Sequence, residues 1–521
     1  MNRMNITTLV SLALALAVLF SATAYAAAPG ITGPTFNLTA QPAYLNQPDG
    51  NIVYSWGYGC SIAPTGFVPA MPNQNCPSMQ VPGPTLIVTE GQKVTVKLTN
   101  NLPTAAGNTS ILFPGFQLQP FTDGVAGLLT QEAAPGATVT YTFTASSPGT
   151  RAYYSGTQGD LQVEMGLYGA IIVLPANIPA ACVGSATLAG KNLQAEKHWG
   201  ETDFRLAAAA YDHPRTCYDR EYLFQFSEMD PNIHHAAEAQ ALAKAGCTAG
   251  AAGCSMEIAT EPYHPAYFLI NGRSMPDDMD ANYGAEYPHQ PYNGNPHMHP
   301  GEQVLLRVIG QGRWQHPFHE HGNHVRILAR DGNLILTPDG SALAGPPLFT
   351  TTTTPGQAFD GIFYYTGRGL NWDMYGHNPS SKDPLALLPC TPDADGYNTG
   401  NPTALNYFEW CQDHNKPLQV APFADVASGG PATLPDPSIF TYGAWYSGGP
   451  YLGPNATTRA TGPNSVFQPS NVQANPANER GYAFMWHSHN EREITTNNVF
   501  PGGMFMMMLV DSREFVIDES K

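Results

Sequence analysis

Residues 316–324 read HPFHEHGNH, four histidines within nine residues of a chain that has only 16. Imidazole is the commonest metal ligand in proteins, and several converging imidazoles suit borderline metals such as copper and zinc. Side chains two apart on a strand share a face. Taken as a strand entered through Pro317, the segment points His319 and His321 one way and Glu320 the other, with His316 at the entry. A second pair lies near the C-terminus in WHSHNERE (486–493), where His487 and His489 share a face and Ser488 points opposite. Four imidazoles converge if these strands are neighbours in one sandwich.

Other stretches carry weaker signals. HMH (297–299) lies between prolines and is expected in a loop, where it offers only loose copper binding. MFMMM (504–508) reads as core filling, because alternate methionines on a strand face opposite sides. MPDDMD (275–280) reads as an exposed acidic loop. No Ser-His-Asp grouping, phosphate loop or dinucleotide fingerprint is present.

Strands are what the rest of the chain predicts. In VPGPTLIVTEGQKVTVKLTNNLP (81–103), Val94, Val96 and Leu98 alternate with Lys93, Thr95, Lys97 and Thr99, the period of a half-buried strand. PGATVTYTFT (135–144) repeats that pattern, and GLYGAIIVLP (166–175) predicts a buried closing strand. A second stretch repeats this grammar: GEQVLLRVIG (301–310), PGQAFDGIFYY (355–365), GYAFMWHSH (481–489) and GGMFMMMLV (502–510). Between the two stretches, residues 181–260 hold four cysteines, a strand at 221–226 and an Ala-rich helical segment at 234–246. A Pro-rich stretch, about 367–480, reads as a long insertion. Short strands with turns at regular spacing indicate an all-β protein of tandem Greek-key sandwiches, two of them, with room for a degraded third. The expected boundaries are 27–180 for the first unit, 181–260 for a connector and 261–521 for the second unit.

Composition narrows the partners. Lys and Arg number 23 against 41 Asp and Glu, a net charge of −18, so nucleic acid is excluded as a partner. A basic start at Arg3, an apolar run over 9–20 and Ala24-Tyr25-Ala26 predict a signal peptide over 1–26, too short to span a bilayer. An exported protein, periplasmic or extracellular, is expected, with no membrane span once the signal is removed. The eight cysteines then form disulfides. Nearest-neighbour pairing gives 60–76, 182–217, 247–254 and 390–411.

These residues resemble the multicopper oxidases, which are built from cupredoxin sandwiches. VPGPTLIVTEG, DGVAGLLTQ (123–131), GLYGAIIV, EYLFQFSEMDP (221–231), YFLINGRSMPD (267–277) and above all HPFHEHG are similar to that family's landmarks. The resemblance implies that His316 stands where the family binds its mononuclear blue copper. It implies that His319 and His321 stand where the oxygen-reducing three-copper cluster is held. The family's C-terminal motif is H-C-H, and its cysteine is the blue-copper thiolate. Here the motif reads His487-Ser488-His489, and the next blue-copper histidine falls near Glu493. Two further H-x-H motifs belong in the first unit; this chain has Leu112 and Pro114 at one and Tyr154 and Gly156 at the other.

The expected protein is therefore a multicopper-oxidase-like metal binder with ligands His319, His321, His487 and His489, and with His316 next in line. Copper is the expected ion and zinc the alternative. A residual oxidoreductase is one outcome. A structural or interaction protein that kept the fold and lost the copper chemistry is another, as is an active laccase-like oxidase with a non-standard site. Self-association is left open.

Overall fold

The computed structural model describes residues 28–183, 187–188, 191–192, 201–367, 391–401, 407–408, 410, 448–451, 481–511 and 517–519. The expected signal peptide, Cys390 and Cys411, and most of the expected insertion lie outside these residues. Strands dominate, and the α-helices among the described residues are Gly159–Gln162 and Pro231–Ala243.

Two pairs of sheets make the body of the molecule. In the first pair, one sheet runs in the order Gly149–Tyr154, Tyr168–Leu174, Leu86–Thr89, Gly30–Thr32, Phe67–Val68. Its companion runs Ile52–Cys60, Thr35–Asn46, Lys93–Asn100, Thr138–Thr144. The Thr35–Asn46 and Lys93–Asn100 strands are parallel neighbours, so no hairpin joins them. The chain crosses to the other sheet between them, through Leu86–Thr89. The alternation read from sequence is the burial pattern found: Val94, Val96 and Leu98 are fully buried with Trp56, Tyr141, Phe143 and Ile171.

In the second pair, one sheet runs Tyr267–Ile270, Arg220–Met229, Gln303–Gly310, Ala358–Tyr364, Val325–Arg330, Asn333–Leu334. The Arg220–Met229 strand is thus part of this sheet, earlier in the chain than the expected start at 261, because it pairs in parallel with Gln303–Gly310. The other sheet runs His297–Met298, Phe505–Asp511, Gly481–Ser488, His316–Glu320, Thr350–Thr353. Phe224, Phe226, Leu306, Phe318, Phe363 and Trp486 fill the space between the two sheets. Met504, Met506 and Met508 are fully buried among them, so the methionine run is core, as its period predicted.

Two expectations need correction. His297–Met298 is a short strand, parallel to Phe505–Asp511, rather than loop. His297 Nδ1 lies 2.7 Å from Asp511 Oδ2, and His299 Nε2 lies 2.5 Å from Glu201 Oε1, so a carboxylate faces each imidazole. The acidic run at 275–280 is not simply exposed: Asp278 is fully buried, with neither carboxyl oxygen hydrogen-bonded. Burial lifts its pKa well above the usual carboxylate range.

A polar seam joins the two sheet pairs. Asp360 accepts hydrogen bonds from Thr150 N (3.1 Å), Thr150 Oγ1 (2.6 Å) and the Tyr211 hydroxyl. Arg307, fully buried, donates to Glu221 (2.8 Å) and to Thr150 Oγ1 (3.1 Å). Disulfides join Cys60 to Cys76, Cys182 to Cys217 and Cys247 to Cys254, as nearest-neighbour pairing predicted.

Candidate metal centre

The His316–Glu320 and Gly481–Ser488 strands are antiparallel neighbours, with His319 directly opposite His487. Directly opposed side chains share a face, and His321 joins them two residues on. The ring centroids lie 4.9 Å apart for His319 and His321, 5.5 Å for His319 and His487, and 5.2 Å for His321 and His487. One ligand nitrogen from each ring can be chosen so that all three lie within 4.8 Å of one another. The three are nearly buried, at 2%, 5% and 7% exposure, so solvent competes little for their lone pairs.

Local hydrogen bonds orient the rings. His487 Nδ1 lies 2.7 Å from the Ser488 carbonyl oxygen, which can only accept. That nitrogen therefore carries the proton, and Nε2 keeps its lone pair. Nε2 of His487 stands 3.2 Å from His321 Nε2. His319 Nδ1 lies 2.6 Å from Thr350 Oγ1, which fixes the orientation of the ring. Burial, and then the neighbouring imidazoles, push His319 down to about 3, and burial lowers His487 too. Neutral imidazole is the ligating form. Trp486 donates from its indole nitrogen to the His321 carbonyl at 3.0 Å and braces the turn that carries it.

His489 stands at the edge of this group. Its ring centroid is 4.7 Å from that of His319, but its side chain is 52% exposed. His316 lies elsewhere: its nitrogens sit 2.9 Å from Glu228 Oε2 and 2.9 Å from Glu493 Oε2. Burial alone would lower its pKa, but the hydrogen bonds and charges of the two carboxylates outweigh this and raise it to about 9. The structure thus brings together His319, His321 and His487, keeps His489 adjacent, and sorts His316 into a separate cluster.

That cluster contains residues the sequence did not single out. Glu228 accepts from the backbone of Arg313 (2.6 Å) and Trp314 (2.8 Å), and Tyr263 lies 3.3 Å away. A Cβ at Gly312 would come within 2.5 Å of its carboxylate, so the loop can wrap the acid only with glycine there. Tyr263 also donates to Glu164 at 2.6 Å. Glu164 is buried, and desolvation raises it to about 8 despite the bonds from Tyr263 and the Asp230 amide. The available signal was an acid inside a wholly buried strand, which is tolerated only when paired.

Where the resemblance places histidine motifs in the first unit, the chain carries Leu112, Pro114, Tyr154 and Gly156. Leu112 and Tyr154 pair backbone to backbone, with Leu112 N 2.7 Å from the Tyr154 oxygen. Tyr154 lines a cleft of about 150 Å³ with Gln311, Pro355 and Gly356.

Comparison with known proteins finds similarity over part of the chain, and the family match contains none of these histidines. Residues 77–178 match the family described as multicopper oxidase. The multicopper oxidase MCE of Talaromyces pinophilus is 38% identical over 103 residues, 19% of this chain and 16% of that protein. The L-ascorbate oxidase of Brassica rapa subsp. pekinensis is 40% identical over 96 residues, 18% of this chain and 16% of that protein. The matched segment thus amounts to about a sixth of these relatives' length. Among solved structures, the multicopper oxidase mgLAC aligns at a TM-score of 0.44 and 15% identity, over 93% of this chain and 87% of that one. The blue copper oxidase of Nitrosomonas europaea aligns at 0.43 and 15%, over 91% and 85%. Over residues 77–178, then, the chain is similar to the multicopper oxidase family.

Proposed function

We propose that this chain is an exported metal-binding protein that holds a copper ion through His319, His321 and His487. His489 is in reach as a fourth ligand, and His316 takes no part. The observation that carries this reading is the trio of nearly buried imidazoles whose donor atoms lie within 4.8 Å of one another. Nitrogen ligands bind zinc at about 2.0–2.1 Å. A tetrahedral set at that bond length spaces its donors about 3.4 Å apart, inside the 4.8 Å limit, and modest side-chain rotation suffices. Copper is the expected ion by family and zinc the competitor.

The same reading makes the protein a reduced member of its family. Leu112, Pro114, Tyr154 and Gly156 supply no ligand to a three-copper cluster, and the Ser488 hydroxyl cannot replace a blue-copper thiolate. Oxygen reduction by the family's four-electron route is therefore absent, and any oxidoreductase activity rests on the histidine trio alone. Arg3, the apolar run at 9–20 and Ala24-Tyr25-Ala26 support export. Residues 27–180 are the first proposed sandwich unit, and the second gathers the Arg220–Met229 strand together with the strands from Tyr267 onward.

Equilibrium titration of purified protein with Cu(II) and Zn(II), read by bound metal per chain, tests the reading. Wild-type protein is expected to hold copper stoichiometrically, and His319→Ala and His321→Ala to lose it. Absence of bound metal in the wild type would instead favour a structural or interaction protein.

A further inference from the structure

We propose that the place which the family resemblance assigns to the mononuclear copper is filled in this chain by an ion-pair joint, in which the His316 imidazolium stands for the metal cation and Glu228 and Glu493 supply the counter-charge. Each nitrogen of His316 faces a carboxylate oxygen, Nε2 at 2.9 Å from Glu228 and Nδ1 at 2.9 Å from Glu493. An ionised carboxylate only accepts, so Nε2 donates to Glu228. Nδ1 makes no aligned hydrogen bond, but the Glu493 carboxylate stands directly before it, where a metal would have to sit. The Ser488 hydroxyl, standing at the thiolate's place, donates to Glu493. Asn490 holds the other Glu493 oxygen at 2.8 Å. His316, Glu228, Ser488 and Glu493 are all at most 1% exposed, so no water substitutes for these contacts.

The joint has a mechanical role as well. It ties the His316–Glu320 strand and the 488–493 turn to the Arg220–Met229 strand, and through Tyr263 to Glu164 in the turn before Tyr168–Leu174. Ser488 lies between His487 and His489, so the anchor holds the turn that presents both. Charge neutralisation that elsewhere comes from a metal is supplied here by a proton. A buried charge left without such a partner would be strongly destabilising.

Copper titration followed by visible absorption tests this in three proteins: wild type, Ser488→Cys, and the double variant Ser488→Cys/Glu493→His. The single variant is expected to stay pale, because Glu493 still withholds His316 Nδ1. The double variant frees that nitrogen, adds a thiolate and an imidazole, and is expected to gain an intense thiolate-to-copper band with one more copper per chain. A band in the Ser488→Cys protein alone overturns the proposal. So does a folded double variant as pale as the single one. His316→Gln gives a separate reading: bound copper per chain is expected to stay at the wild-type value while the thermal midpoint falls. Loss of one copper equivalent would show that His316 is a ligand. The histidine trio is read independently by His319→Ala, so the two readings fail separately.

Discussion

Glu164 offers the clearest quantitative test of the buried network. It is fully buried, and its pKa rises from 4.5 to about 8, desolvation being the largest cause. Tyr263, the Asp230 backbone amide, His234, Glu228 and Arg313 face it. Below pH 4.5 both folded and unfolded chains carry this proton, so the group contributes nothing to the pH dependence. Between 4.5 and 8 the unfolded chain releases the proton and the folded chain keeps it, so stability falls as pH rises. Each pH step in that window is worth about 1.4 kcal/mol. From pH 5 to pH 8 the wild type should therefore lose about 3.5 kcal/mol that Glu164→Gln does not lose, the slope being shallower near each pKa. Chemical denaturation followed by tryptophan fluorescence, run on both proteins at pH 5, 6.5 and 8, measures this difference. The amide keeps an acceptor for the Asp230 N–H and places its NH2 toward Tyr263, so folding is expected to survive. A wild-type-to-variant difference that stays constant across the three pH values would refute the argument.

Further tests follow from other buried contacts. His316 is raised to about 9, so its stabilising contribution is fully present below pH 6.5 and lost as pH rises through 9; His316→Gln should flatten the alkaline limb of the stability profile. Arg307→Ala strands Glu221 and Asp360 inside the seam and is expected to cost about 3–5 kcal/mol by denaturant titration. Trp486→Phe leaves the buried His321 carbonyl short of its 3.0 Å donor, with an expected loss of about 1–3 kcal/mol in the same assay. Mass mapping of non-reduced peptides should return the 60–76, 182–217 and 247–254 linkages, and a free thiol at any of these positions would contradict the structure.

Where the sequence was informative, local physics was the reason. The alternation of Val94, Val96 and Leu98 reports a pleat, and the strand period of HPFHEHG puts His319 and His321 on one face whatever surrounds them. Proximity along the chain sufficed for the disulfides because each closes a short loop. The sorting of His316 away from His319 was not legible. It depends on Glu228, 88 residues earlier, and on Glu493, far later, neither of which any local pattern connects to it. The same holds for HMH, whose prolines suggested loop while pairing with Phe505–Asp511 made it strand. Asp278 shows the converse: an acidic run looks solvated until the fold closes over one member of it.

The opposition of His319 and His487 also has a bearing on time. The two residues are 168 positions apart in the chain, yet they meet through a direct strand pairing. Non-local pairing of this kind closes late in folding, after local elements have formed. A nascent chain that ends before residue 481 holds one half of the trio's scaffold and cannot gather its donors. Only a chain that carries both strands, paired in register, brings the three imidazoles to one point.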